Sequence, residues 1–131
     1  MTAEDVAAIE RLKHEYCYRI DDGDYEAWAA LFTDDGRFAF ADGAAFEGRD
    51  ELRSFGADVF DDAHERTAHT VTNPVVDVDG DTATGRWYLA LFSEGDDGET
   101  GVQQATYRDE FRRVDGEWRI ESVTVDHGVQ L

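Results

Sequence analysis

The chain has 131 residues, the length of one ordinary domain, and its 31 acidic residues against 12 basic ones give a formal net charge of −19. Such a charge disfavours nucleic acid and anionic membranes as partners, because the surface as a whole repels phosphate. A hydrophobic fraction of 41% with eight Phe, five Tyr and three Trp supplies an aromatic-rich core, so the composition is that of a folded chain.

Thr2 followed three residues later by Asp5 resembles a capping box, and Ile9, Leu12, Tyr16 and Ile20 then recur at three- and four-residue steps. This predicts an amphipathic helix to about Ile20 with one stripe buried. Asp21-Asp22-Gly23-Asp24 stops it, and Asp24 caps a second helix predicted over 25–32 that buries Trp28, Leu31 and Phe32. His14 faces solvent by helical phase. The single cysteine, Cys17, excludes an internal disulfide and lies beside the apolar stripe as a packed thiol.

Arg37-Phe38-Ala39-Phe40 reads as a strand, and Ala41-Asp42-Gly43 turns it into a short return around Phe46. A third helix starts near Gly48-Arg49-Asp50 and runs to about Val59 or Phe60, with the acidic stretch 61–65 as its exit; His64 in that stretch and His127 near the end read as exposed. Turn signals at Asp79-Gly80-Asp81, 94–98 and Asp115-Gly116 then divide the remainder into long strands over about 66–78, 82–93, 101–113 and 117–127, an antiparallel meander. Pro74 makes the first of these an edge strand or gives it a bulge. The order of elements argues one α+β domain over 1–131, a curved, cone-shaped antiparallel sheet on three N-terminal helices.

Within that plan Asp21 and His69 stand out. Asp21 sits at a helix C-terminus, where its charge opposes the macrodipole, so it needs a partner such as an imidazole. If the fold brings it to His69, Asp21 holds one ring nitrogen and leaves the other free as a general base. Packing alone would account for Tyr16, which shares a pocket with Asp21 only if that pocket wraps the helix end, since five helical residues rotate by about 140°. Candidate walls are Val71, Asn73, Trp87, Leu89, Leu91, Tyr107 and Trp118, with the concave face undetermined by alternation alone. No HxH, HxxxH or Cys/His cluster suggests a metal, and no phosphate loop or serine elbow is present. No apolar run approaches the ~20 residues of a membrane span, and the acidic N-terminus differs from a signal peptide, so a cytoplasmic protein is expected.

Tyr16-(x4)-Asp21-Asp22-Gly23-Asp24-Tyr25, the histidine opening the first long strand, and Ala83-Thr84-Gly85-Arg86-Trp87-Tyr88-Leu89 resemble the SnoaL-like branch of the nuclear transport factor 2 superfamily over about Ala3 to Val125. Within it the chain is most similar to cofactor-free lyases of the bile acid 7α-dehydratase, scytalone dehydratase and hexachlorocyclohexane dehydrochlorinase type. The resemblance implies His69 as proton abstractor, Asp21 as its partner and Tyr16 as a hydrogen-bond donor, with no cofactor. A pocket tyrosine of relatives falls at Phe40, which has no hydroxyl, and the dehydrochlorinase lysine falls at Tyr16, so halide elimination is not implied. Phe40, Trp87, Leu89 and Tyr107 are the expected substrate-binding residues of an aromatic-lined hollow suited to a flat, apolar, even polycyclic, hydroxy-ketone. By the same resemblance a homo-oligomer, dimer or trimer, is expected. The alternative is a non-catalytic small-molecule-binding or assembly domain of the same fold. Acidic loops with a single lysine also resemble proteins of salt-loving organisms.

Overall fold

The computed structural model describes residues 2–131. Helix α1 (Ala3–Asp21) begins where the Thr2 hydroxyl accepts the Asp5 N–H at 3.1 Å, and it ends at Gly23, whose φ of +75° lets the chain turn away. Asp24 caps the short α2 (Tyr25–Ala29) by accepting the Ala27 N–H.

The sequence-based reading of α2 ran to Phe32, but the helix stops at Ala29 and strand β1 (Phe32–Phe40) starts instead. Tertiary pairing decides this boundary. The Leu31 carbonyl accepts the Ile120 N–H at 2.9 Å, and Phe32 registers with Ile120, so the two apolar residues that could have extended the helix are taken up by the sheet. A shift in register between Phe32 and Arg37 forms the bend at Gly36, where a Cβ would meet that of Phe32 at 2.7 Å. Strand β2 (Ala45–Glu47) returns antiparallel to β1.

A continuous helical run follows: α3 (Arg49–Ser54), a π-helical turn over Phe55–Phe60 and the one-turn α4 (Asp61–Ala63). Four long strands complete the chain, β3 (Arg66–Asp79), β4 (Thr82–Glu94), β5 (Thr100–Val114) and β6 (Glu117–Gln130), joined as the expected antiparallel meander. Sheet order is β2-β1-β6-β5-β4-β3. The sheet is mixed rather than wholly antiparallel, because α2 delivers the chain to the end of the sheet where β6 starts and β1 therefore runs parallel to β6. Pro74 lies on the edge strand and within a bulge between Thr72 and Val75, where Asn73 has a φ of +60°.

The curved sheet wraps the three helical segments without closing. Ile9, Tyr16 and Ile20 of α1, Trp28 of α2 and Leu52 of α3 pack with Phe111, Ile120 and Val123 from the concave face, all buried. Most ion-pair residues, such as Arg66 and Glu94 or Arg53 and Asp50, lie on the outside with the turns. No helix among the described residues is long and apolar enough to cross a membrane.

Candidate active site

Asp21 is the last residue of α1, and α1 lies against β3 near its start. Because β3 is an edge strand, the outward N–H of His69 is free of the ladder and donates to Asp21 Oδ2 at 2.8 Å. Asp21 Oδ1 receives the Thr67 hydroxyl at 2.8 Å and stands 2.6 Å from His69 Nδ1. Three donors converge on one carboxylate. That fixes the tautomer: Nδ1 carries the proton toward Asp21, and Nε2 is left without one in the neutral ring. Burial pushes the Asp21 carboxyl up, but the hydrogen bonds from the His69 ring and backbone, the charge of His69 and the Thr67 hydroxyl outweigh it and hold the carboxyl below its ordinary value. The His69 side chain is only 5% exposed.

His69 opens on a partly enclosed cavity of about 170 Å³ between the helices and the concave face. Tyr16 and Ile20 line it from α1, Phe38 and Phe40 from β1, Phe55, Phe60 and His64 from the helical run, and Leu89, Leu91, Gln103, Ala105, Tyr107, Val125 and His127 from the sheet. Asp21 does not line it. The carboxylate supports the imidazole from behind while Tyr16, on another face of α1, enters the cavity, so the pocket need not wrap the helix end. A wider open groove of about 590 Å³ beside Ala68, Phe92 and Val102 holds no imidazole among its walls.

Of the four residues expected to bind substrate, Phe40, Leu89 and Tyr107 line the cavity. Trp87 does not. Its side chain is on the concave face, but the ring folds over Gly85 and packs on Phe111 at 6.0 Å, in the closed end of the core. Among the further candidate walls Leu91 lines the cavity and Val71 packs on the core, whereas Asn73 sits in the exposed bulge and the Trp118 indole N–H donates to Asp5 at 3.2 Å. The reading of His64 as exposed is also corrected: the helical run continues through the π turn and carries it, half-buried, to the cavity wall. His127 is exposed as expected, yet its ring stacks on Phe40 at 5.7 Å and borders the cavity.

Lys13 was not among the sequence candidates. Its ammonium is wholly buried beneath the cavity, 2.8 Å from Asp109 Oδ2, 3.4 Å from the centre of the Tyr107 ring and 3.9 Å from that of Tyr16. The signal was available, since the only lysine of the chain falls four residues after Ile9 and three before Tyr16, on the buried stripe. Burial raises the Asp109 carboxyl above its usual value, with Lys13 drawing it back. Burial likewise pushes both phenols well above the ordinary tyrosine value, and the two rings meet edge to face at 5.7 Å. Tyr16 and Tyr107 are therefore neutral hydrogen-bond donors at any working pH. Among the described residues no group of three or more His, Cys, Asp or Glu is arranged to hold a metal ion.

A helix-filled, unclosed sheet with a carboxylate-held imidazole at the edge of an aromatic hollow defines a domain of the nuclear transport factor 2-like class. Residues 1–124 match the model of the SnoaL-like domain, and the chain belongs to that family. No functionally curated protein matches it in sequence. Among solved structures it is similar to Rv3472 of Mycobacterium tuberculosis, a protein of unknown function, at 32% identity over 95% of this chain and 72% of that one, with a TM-score of 0.85. It is similar to a proposed aromatic ring hydroxylase of Novosphingobium aromaticivorans at 29% identity over 100% and 94% of the two chains, with a TM-score of 0.92. A proposed scytalone dehydratase of the same organism shares the fold at 24% identity, covering 97% and 86%, with a TM-score of 0.89.

Proposed function

We propose that the protein is a cofactor-independent lyase, a dehydratase, or an isomerase with the same first step. His69 removes a proton from carbon next to a carbonyl, Asp21 orients the ring and stabilises the imidazolium, and Tyr16, backed by Tyr107, donates a hydrogen bond to the carbonyl oxygen as it gains charge. The observation that carries this reading is the 2.6 Å contact between Asp21 and a His69 ring that opens on a partly enclosed aromatic cavity. Fixing the base in one tautomer before substrate arrives is the preorganisation that such proton transfers need.

The hollow also narrows the substrate. At about 170 Å³ it lies below the ~300–1,000 Å³ of pockets for drug-sized ligands, which favours one or two fused rings over a larger polycycle. The preferred substrate is a compact, hydrophobic hydroxy-ketone. Deuterium exchange at the α-carbon of such a ketone in D2O, followed by NMR, tests the base directly. His69→Asn should slow exchange by about 10²- to 10⁴-fold, and Asp21→Asn should slow it too; exchange indifferent to both sinks the reading.

The second reading, a ligand-binding or assembly domain, draws on the density of aromatic rings in and behind the cavity wall: Phe38, Phe40 and Phe55 line it and Phe46 packs behind Phe55, interlocking at centroid distances of 4.7 to 6.2 Å. Ligand-induced thermal stabilisation without conversion would select it. Either reading is compatible with a homo-oligomer, dimer or trimer, to which the exposed Tyr88 and Phe92 on the outer face of the sheet lend support.

A further inference from the structure

Loss of water from a hydroxy-ketone requires two proton transfers, because hydroxide leaves carbon slowly unless it is protonated as it departs. The proposed base accounts for one of them. The cavity offers few groups for the other. Phe40 has no hydroxyl, the Gln103 amide holds its protons, and Tyr16 and Tyr107 are buried phenols that donate hydrogen bonds without releasing a proton. Two imidazoles remain. His127 is exposed, and no hydrogen bond among the described residues fixes its ring.

We propose that His64 is the general acid of this cavity and protonates the departing oxygen while His69 takes the carbon-bound proton; the assignment rests on the reading above and extends it. His64 Nδ1 lies 3.1 Å from the carbonyl oxygen of Phe60. A carbonyl only accepts, so Nδ1 carries a hydrogen in every state of the ring, and Nε2 is the nitrogen that exchanges its proton. The ring packs on Phe60 at 4.6 Å, and Phe60 in turn packs on His69 at 5.8 Å, so the two imidazoles flank one aromatic ring of the same wall. They differ in what stands behind them. An anion backs His69 and a neutral oxygen backs His64, which suits the first to receiving a proton and the second to releasing one.

The step balances without a further reagent. Neutral His69 Nε2 takes the proton on the carbon next to the carbonyl, and the electron pair of that C–H bond becomes the new C=C bond. The neighbouring C–O bond breaks with its pair going to oxygen, and the Nε2 proton of the His64 imidazolium joins that oxygen to give water. The products are an unsaturated ketone and water, with His69 protonated and His64 neutral. Proton exchange with solvent restores both rings.

Three probes separate the two roles: 1-indanone, which can only exchange its α-hydrogens; 3-hydroxy-1-indanone, which must lose water; and 3-acetoxy-1-indanone, whose acetate leaves without being protonated. In the intact protein, His64→Gln should lower water loss by about 10²- to 10⁴-fold, while α-exchange and acetate loss fall far less. Equal losses on all three probes, or a wild type that exchanges 1-indanone yet releases water no faster than His64→Gln, overturn the role of His64. A wild type that exchanges 1-indanone no faster than buffer overturns the base itself and the acid with it. Independently of turnover, the ¹⁵N spectrum of the imidazoles should show neutral His64 protonated on Nδ1. A proton on Nε2 instead overturns the assignment.

Discussion

Lys13 Nζ and Asp109 Oδ2 stand 2.8 Å apart with neither side chain reaching solvent. The ammonium presents its remaining protons to the faces of Tyr16 and Tyr107, so one ion pair sets the floor of the cavity as well as the core below it. Removing one partner strands a buried charge. Lys13→Met should cost about 3–5 kcal/mol in urea denaturation, whereas Lys13→Met combined with Asp109→Leu should recover a large part of that loss. A double variant no more stable than the single one would show that the pair, rather than the uncompensated charge, sets the stability.

The depressed Asp21 carboxyl links folding to acid. Its folded-state pKa lies below the ordinary carboxylate value of 3.8, so its contribution is fully present above that value and is lost as pH falls through the lower, folded one. Asp21→Asn should reduce stability at neutral pH by about 2 kcal/mol, the scale of a charged hydrogen bond. It should also flatten the decline below the usual carboxylate range. Stability curves against pH for the two proteins, measured in urea, check the sign; parallel acid limbs would contradict it.

Cys17 should be inert. It is 5% exposed, and burial pushes its thiol up to about 11, with Lys13 acting in the opposite sense. Only the thiolate reacts, so a disulfide reagent such as DTNB should modify the native protein at neutral pH only through unfolding. The rate should therefore rise steeply with urea. Immediate stoichiometric labelling in buffer would place the sulfur elsewhere.

A net charge of −19 on 131 residues makes the folded state repel itself. The Debye length falls from about 10 Å at 0.1 M to about 3 Å at 1 M salt, which screens that repulsion. The melting temperature should climb across this range of KCl despite the weakening of exposed ion pairs such as Arg66–Glu94. A melting temperature that falls with salt would mean that local pairing outweighs the net charge.

Local chemistry made much of this structure legible beforehand. Thr2, Gly23 and Asp24 punctuate the first two helices through groups that lie within a few residues of one another, and the bulge at Pro74 follows from a missing N–H. Asp21 could be singled out because its charge is unfavourable where it stands, which demands a partner from elsewhere. Positions decided by distant pairing were less visible. Leu31 and Phe32 are equally good in helix or strand, and only Ile120 decides between them. Alternation grouped Trp87 with Leu89 and Leu91 on one face but could not show that this face is the concave one, nor that the absent side chain at Gly85 lets the ring fold back. The acidic surroundings of His64 suggested solvent, while the path of the helical run determined where the ring actually lies. Lys13 was hidden by its charge, since a burial stripe is read from apolar residues.

The π-helical turn over Phe55–Phe60 sets one more constraint. Such a turn carries an extra residue compared with an α-helical turn, so deleting one residue within it would restore regular geometry. Because the wider turn absorbs that residue, the deletion would leave the segment beyond it close to its present phase relative to α3, whereas winding all the residues as α-helix would rotate that segment by about 100°. In that fully α-helical winding Phe60 would swing from between the two imidazoles and His64 would point away from the hollow. The irregular turn therefore acts as a spacer that trades backbone order for the aim of the side chains beyond it.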